Sequence, residues 1–201
     1  MKKMLFTLLI IPVFVIAQTL EELDFVSPFN NGVSAVKKAD SWGFIDSKGN
    51  IVIHFRNDLV LTKTDGYKYP VFKSNRCLIS EKRKGITYFG YIDKIGKTVI
   101  TPQFLNASNF NNKEAIVLKL IKEELGRNEI LGKNIISHRY FEVVIDKNGT
   151  TKSYLNPKGI NIVLDKKFIR KPPKITSKKI SDSIYAVINE NKKWTIVNTN
   201  N

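Results

Sequence analysis

SWGFIDSKGNIVI, residues 41–53, contains two short apolar runs separated by residues that favour a turn. The first run ends at Asp46, whose side chain can accept backbone N–H groups of a following turn. Gly49 stands at the end of that turn, where a glycine adopts positive φ without steric cost. The stretch therefore predicts an antiparallel β-hairpin with a type I turn closed by a glycine bulge.

The same pattern recurs along the chain. Trp42–Gly49 is matched by Phe89–Gly96, more weakly by Val143–Gly149, and finally by Trp194–Asn198. The marker positions are Asp46, Asp93, Asp146 and Asn198, at intervals of 47, 53 and 52 residues. Near-regular spacing of a compound motif indicates a repeated structural unit.

A second shared element precedes each copy of the motif. It consists of an apolar residue, polar turn residues and a short β-prone run, and it occupies residues 29–36, 72–79, 110–117 and 180–187. Ser34, Cys77 and Ala115 align at one position of this element, which favours a small residue. We therefore interpret Cys77, the single cysteine, as a core residue in a tight packing position rather than a nucleophile.

Two glycines lie inside predicted strands, directly after an aromatic residue. They are Gly43 and Gly90. Glycine within a strand indicates close approach of another backbone or an aromatic ring lying over the missing side chain.

These motifs resemble the WG-repeat family of bacterial proteins, whose pattern is roughly F-x-x-G-x-A-x-V followed by W-G-[FY]-I-D-x-x-G-x-x-V-I-P. FNNGVSAV and WGFIDSKGNIVI fit it closely, and residues 89–117 fit it nearly as well. His54-Phe55 stands where the first unit would have its proline, and the third unit has lost the Trp-Gly pair. The resemblance implies a β-rich repeat architecture. It implies no activity, because the family has no shared catalytic or binding residues.

The predicted fold is therefore all-β and mainly antiparallel, an array of about four degenerate β-hairpin WG-type repeats. A lone unit is too small to bury its own core, so neighbouring units must cover one another. The predicted units cover residues 20–62, 63–103, 104–155 and 175–201, within a WG-like domain of residues 18–201.

The N-terminal segment, residues 1–17, has the layout of a secretory signal peptide. Lys2 and Lys3 precede an apolar stretch from Leu5 to Ile16 and the small residue Ala17. The alternative is a membrane anchor, but about 20 apolar residues are needed to span a bilayer and this run is shorter. We expect export to the periplasm or the exterior, and no transmembrane segment in the mature chain.

Formal net charge is +15, and a basic, Pro-containing linker at residues 156–179 carries much of the excess. A basic surface favours polyanions, and these residues are the candidate polyanion-binding site. The alternative is a solvated linker between the third and fourth units, within a chain whose Lys, Asn and Ile content an AT-rich genome would also produce. The candidate residues are Lys158, Lys166, Lys167, Arg170, Lys171, Lys174, Lys178 and Lys179.

An insertion at residues 118–142 separates the two halves of the third unit. The segment LIKEEL within it is compatible with a short helix that stops at Gly126, but apolar runs flank the insertion on both sides. We therefore predict an extended hairpin. Lengthened loops between repeats are places where binding surfaces are added.

Motifs for catalysis and cofactors are missing from the sequence. It has no G-x-S-x-G, no Cys/His cluster for a metal and no phosphate-binding glycine loop. His54 is interpreted as a structural substitute in the proline position, and the repeated aspartates as turn caps rather than calcium ligands. We predict no catalytic, cofactor or metal site and no specific nucleic-acid motif.

The leading functional prediction is an exported, non-enzymatic binding or scaffold protein of the bacterial envelope or exterior, with a protein or an envelope polymer as its partner. One alternative is a polyanion-binding protein that uses residues 158–179. The other is a hydrolase or an inhibitor whose site is assembled from scattered residues.

Overall fold

The computed structural model describes residues 20–64, 66–129, 132–189 and 191–199. In these residues there are sixteen β-strands and no α-helix, and every strand pairing is antiparallel. The all-β prediction is confirmed. The signal peptide predicted at residues 1–17 lies outside the described residues.

The first unit is a four-stranded sheet with strand order β1-β2-β3-β4. A separate two-stranded hairpin, β5–β6, follows it before the second unit begins. The strands are β1 (Phe25–Val26), β2 (Ser34–Lys38), β3 (Ser41–Ile45), β4 (Ile51–Arg56), β5 (Thr62–Thr64) and β6 (Tyr67–Tyr69).

The second and third units share one seven-stranded sheet, because one strand, residues 98–107, ends the second unit and begins the third. Its order is β12-β11-β10-β9-β8-β7, with β13 paired to β11. The strands are β7 (Cys77–Arg83), β8 (Ile86–Ile92), β9 (Thr98–Ala107), β10 (Ala115–Asn128), β11 (Lys133–Ile145), β12 (Thr151–Tyr154) and β13 (Ile160–Asn161).

The fourth unit is a three-stranded sheet with order β14-β15-β16. Its strands are β14 (Lys178–Ser181), β15 (Ile184–Ile188) and β16 (Trp194–Asn198). In this unit the marker position Asn198 ends a strand, and the capped turn lies earlier, at Asn189, whose side chain accepts the N–H groups of Asn191 and Lys193.

The repeated register explains why the sequence motifs recur. The small residue that begins the first strand of each hairpin pairs with the isoleucine that precedes the aspartate. The pairs are Ser34–Ile45, Cys77–Ile92 and Ala115–Ile145. All three small residues are buried, and burial raises the pKa of the Cys77 thiol to about 12. The prediction that Cys77 is a packing residue is consistent with this environment.

The aspartate turns have one geometry in three units. Oδ1 of each aspartate accepts the backbone N–H groups two and four residues later, at 2.8–3.1 Å. The closing residues Gly49, Gly96 and Gly149 have φ of 84°, 83° and 87°. This carboxylate oxygen therefore caps its own turn, as the sequence analysis proposed.

Gly43 and Gly90 lie opposite bulges in the neighbouring strand. A Cβ atom on Gly43 would lie 2.8 Å from the carbonyl oxygen of Ile53, and one on Gly90 would lie 2.7 Å from the nitrogen of Pro102. The register between the strands shifts at both sites. The expected close backbone approach is confirmed.

The structure corrects the role given to His54. The backbone nitrogen that approaches Gly43 belongs to Phe55, just as that of Pro102 approaches Gly90. Phe55 therefore occupies the proline position, while the side chain of His54 is exposed.

Neighbouring units bury each other's apolar faces. Phe44 packs edge-on against Phe72 at 4.8 Å between ring centroids, and Tyr91 packs in the same way against Phe110 at 4.7 Å. In each pair the first ring follows the strand glycine of one unit, and the second begins the next unit. The core is thus made at the junctions between units.

The insertion at residues 118–142 is an extended hairpin, so the helix alternative is wrong. Strands β10 and β11 remain paired from Ala115–Ile145 out to Asn128–Lys133, with one bulge between Glu124 and Gly126. Toward the tip its side chains are exposed, among them Leu125 and Ile136.

Candidate functional site

The stretch between the third and fourth units, residues 156–177, is packed against the protein over much of its length, and we call it the return segment. Strand β13 pairs with Arg139 and Tyr140 of β11. Beyond it, apolar side chains of the segment cover a cluster on the seven-stranded sheet. The segment contributes Ile162, Leu164, Ile169 and Ile175, and the sheet contributes Ile86, Leu105 and Leu118. The solvated linker considered in the sequence analysis is therefore wrong for this stretch.

A buried carboxylate fixes the end of the return segment. Glu142 is 5% exposed and accepts hydrogen bonds from the backbone N–H and the hydroxyl of both Thr176 and Ser177. The Asn106 side-chain amide also donates to the Pro173 carbonyl at 2.7 Å. Pro172 and Pro173, which cannot donate to a sheet ladder, thus lie in a part of the segment that side chains hold in place.

A tight turn begins at Asp165. Its backbone oxygen accepts the N–H groups of Phe168 and Ile169, and its side chain accepts that of Lys167 at 2.7 Å. Ile169 points into the core and is 7% exposed, whereas Phe168 is 72% exposed. The turn therefore presents Lys166, Lys167 and Phe168 to solvent while Ile169 anchors it.

The structure divides the eight predicted basic residues into different environments. Five are exposed on the return segment and form no ion pair in the described part of the chain: Lys166, Lys167, Arg170, Lys171 and Lys174. Lys158 belongs to the turn that precedes β13, apart from these five, and lines a cavity of about 540 Å³ beside β15 and β16.

Lys178 and Lys179 are corrections to the predicted site, because both lie in strand β14 rather than in a linker. The ammonium of Lys178 lies over the Trp194 ring, 4.9 Å from its centroid. Lys179 is 11% exposed in its side chain and pairs with Glu114 at 2.8 Å. Lys179 neutralises a partly buried carboxylate and does not face solvent as a binding residue would.

Two basic residues that the sequence analysis missed complete the surface. Arg83 and Lys84, at the tip of the β7–β8 hairpin, line a groove of about 640 Å³ together with Lys166 and Lys167 of the Asp165 turn. Asp165 is the one acidic residue among the described side chains that line this groove. The run Glu81-Lys82-Arg83-Lys84 marks a charged hairpin tip in the sequence, but nothing in it indicates contact with a segment some 80 residues later.

Close packing holds the groove together. The guanidinium of Arg83 lies 4.3 Å from the centroid of the Tyr88 ring and donates to the Pro102 carbonyl. The aliphatic part of Lys166 lies against Gly85, where an added Cβ would be 2.9 Å from the Cβ of Lys166. Four cations are therefore brought together on fixed backbone, which suits the binding of an anion.

The described residues offer neither a cluster of metal ligands nor a membrane-spanning helix. They contain no group of three or more His, Cys, Asp or Glu side chains that could hold a metal ion. They also include no helix with the length and hydropathy needed to cross a bilayer.

Comparison with known proteins identifies the repeat. Residues 42–66 and 89–119 match the family model of the WG containing repeat. Comparisons with curated proteins and with solved structures give no match. The two matches begin at Trp42 and Phe89, the aromatic residues before the two strand glycines, so they coincide with the bulged hairpins described above. From these matches and the repeated hairpin geometry, the chain is a WG-repeat protein.

Proposed function

We propose that this chain is an exported, non-enzymatic binding or scaffold protein of the bacterial envelope or exterior, and that it binds a polyanion through the return segment. Five cations of this segment are exposed without ion-pair partners in the described part of the chain, on a backbone held by Glu142 and by apolar packing: Lys166, Lys167, Arg170, Lys171 and Lys174. This fixed cationic surface is the observation that carries the proposal.

Export and the non-enzymatic role have separate support. Lys2, Lys3, the apolar stretch and Ala17 have the order of a cleavable export signal. The matches to the WG containing repeat favour a binding or scaffold role, because a repeat array offers an extended surface for one.

Fixed cations recognise polyanions better than mobile ones. Anchoring of the backbone lowers the conformational entropy that would be lost on binding. Clustered charges of one sign also raise the local concentration of an oppositely charged ligand. The return segment meets both conditions, because the exposed Lys166, Lys167, Arg170 and Lys171 follow one another within six positions.

Retention of the processed form, residues 18–201, on immobilised heparin tests this proposal. We expect a variant with Lys166, Lys167, Arg170 and Lys171 all changed to Ser to elute at a much lower salt concentration than the unmodified protein, because surface charges act through a screened potential. A control variant removes four exposed lysines elsewhere, Lys48, Lys68, Lys97 and Lys193. Equal losses in the two variants would show that net charge alone causes retention and would contradict the proposal.

A further inference from the structure

We propose that the polyanion is the surface of a bilayer containing anionic phospholipid, with Phe168 inserted among the lipids and a headgroup phosphate held in the groove between Arg83 and Lys166. This inference rests on the proposed function, because it uses the same cations. It adds a ligand class, a second hairpin and an apolar residue.

Phe168 is the observation that favours a lipid surface over a soluble polymer. It is 72% exposed although Ile169, the next residue, is buried. Val163, on the same segment, is 60% exposed. Aromatic and apolar side chains flanked by Lys and Arg are typical of protein surfaces that lie at a membrane interface. A soluble polyanion would give the Phe168 ring no apolar environment, whereas a bilayer would.

Nucleic acid fits these residues less well. Proteins that bind single strands without sequence preference use several aromatic side chains on which successive bases stack. The return segment has one aromatic residue, Phe168, and no second ring beside it in the sequence.

The groove supplies a place for a phosphate group. The Arg83 guanidinium is held against the Tyr88 ring and the Pro102 carbonyl, so its plane is fixed before a ligand arrives. Its Nε lies 3.8 Å from the exposed Glu81 carboxylate, so a phosphate would compete with Glu81 for it. Arginine recognises phosphate through two parallel hydrogen bonds, and lysine does so as a point charge. Lys84, Lys166 and Lys167 surround the same space.

The surface as a whole combines these parts. Cations of the return segment would lie over the anionic headgroups, where each adds to the attraction. Phe168 would enter the interface beside them. Binding of this kind needs both contributions, because a few charges or a single apolar side chain hold a protein to a membrane only weakly.

Co-sedimentation with lipid vesicles tests the inference. The processed form is mixed with vesicles of phosphatidylcholine alone or of equal parts phosphatidylcholine and phosphatidylglycerol. We expect binding to the mixed vesicles only, and binding weakened by about tenfold in the Phe168→Ser variant. Phe29→Ser is the matched control, because Phe29 is 55% exposed and lies in the first unit. Equal binding by the Phe168→Ser variant and the unmodified protein would overturn the inference.

Heparin retention of the same variants separates this inference from the proposed function. We expect Phe168→Ser to leave heparin retention unchanged and the four-cation variant to lose both activities. Heparin retention without binding to anionic vesicles would overturn the lipid inference and leave the polyanion proposal standing. Loss of neither activity in the four-cation variant would overturn both.

A glycine pair tests the groove without any change of charge. In Gly85→Ala the new methyl group would displace Lys166, whereas the Cβ in Gly49→Ala would meet nothing within 4 Å. The two glycines have φ of 83° and 84°, so the backbone strain is matched. We expect only Gly85→Ala to weaken vesicle binding. Equal binding by the two variants, with circular dichroism verifying that both are folded, would overturn the assignment of the phosphate to the groove.

Discussion

At the residue scale, Gly43 and Gly90 allow the strand that follows each turn to bulge toward them. Both lie under the backbone of the neighbouring strand, which bulges at that point. The aromatic residue before each glycine lies in the core, with Trp42 8% and Phe89 9% exposed. The Trp-Gly pair is therefore a packing motif, in which the ring lies in the core and the glycine admits the bulge.

Replacement of these glycines gives a graded test of that role. We expect Gly90→Ala to lower the free energy of unfolding by about 1–3 kcal/mol, because the methyl group would collide with backbone rather than with a flexible side chain. Gly43→Ala should cost less, since one backbone atom lies within 3 Å of its Cβ. Urea denaturation followed by circular dichroism measures both. Equal stability of Gly90→Ala and the unmodified protein would contradict the packing role.

Sequence was most informative at this scale. The aspartate caps, the small position of Cys77 and the close approach at Gly43 follow from local rules about turns and side-chain size, and these depend on neighbouring residues. His54 was assigned to the proline position wrongly, although Phe55 follows Trp42 by the same number of residues as Pro102 follows Phe89, so alignment of the two copies would have indicated Phe55. Phe55 holds that position instead.

At the element scale, the return segment is held by the residue that replaces the repeat's tryptophan. In the pairing of β10 with β11, Glu142 lies opposite Leu118. This is the position that Trp42 has in the first unit, where it lies opposite Lys37 in the pairing of β2 with β3. The residue after Glu142 is Val143 rather than glycine, and no bulge occurs opposite it in β12. Loss of the motif thus coincides with a new function for its first position, the anchoring of Thr176 and Ser177.

Glu142→Gln should therefore release the return segment. An amide has one acceptor oxygen, so at least one buried donor of Thr176 or Ser177 would lose its partner, at a cost of about 1–3 kcal/mol. We expect faster hydrogen–deuterium exchange across residues 162–177, with exchange in the first unit unchanged. Glu124→Gln, on the exposed part of the long hairpin, is the control. An unchanged exchange pattern in Glu142→Gln would exclude the carboxylate as the anchor.

The long hairpin was predictable, whereas the course of the return segment was not. Apolar runs on both sides of residues 118–142 indicate two strands whatever the rest of the chain does. The return segment has one short apolar run, residues 160–164, and its position depends on contacts between residues far apart in sequence, such as Glu142 with Thr176. The exposed lysines of the candidate surface could be predicted from the sequence. The contribution of Arg83 and the ion pair of Lys179 could not, because both depend on such distant contacts.

At the scale of the whole molecule, polar contacts between successive turns accompany the apolar junctions. The side-chain amide of Asn31 donates to the carbonyl of Phe72 at 2.7 Å. Ser74 accepts the N–H of Lys113, and Asn112 donates to Asp182. Each contact joins the turn of one unit to that of the next, so the array is aligned along one edge.

Glu114 makes the junction between the third and fourth units sensitive to pH. It accepts hydrogen bonds from Lys152, Lys179 and Tyr185. Partial burial by itself would raise the pKa of the carboxyl group, but these three donors outweigh it and lower the pKa to about 2, from an ordinary value of 4.5. Since the folded protein holds this proton less tightly than the unfolded chain, the stabilisation is complete above about pH 4.5 and is lost as the pH falls toward 2.

Unfolding measured across that window tests the assignment. We expect Glu114→Gln to be less stable than the unmodified protein at neutral pH, and the difference to shrink as the pH falls from about 4.5 to about 2. Glu124→Gln should show no such convergence. A stability difference that stays constant over the whole window would mean that Glu114 does not titrate with the depressed pKa.

The absence of a bulge opposite Val143, in the third unit, affects how arrays of this kind are counted. The Trp-Gly pair indicates where the neighbouring strand bulges over the glycine. The paired isoleucines and the capped aspartates indicate the hairpin itself. A unit without this bulge loses the Trp-Gly pair but keeps the paired isoleucine and the capped aspartate. The number of Trp-Gly pairs is therefore a lower bound on the number of units. It omits units in which that position has acquired another contact, as Glu142 has with Thr176 and Ser177.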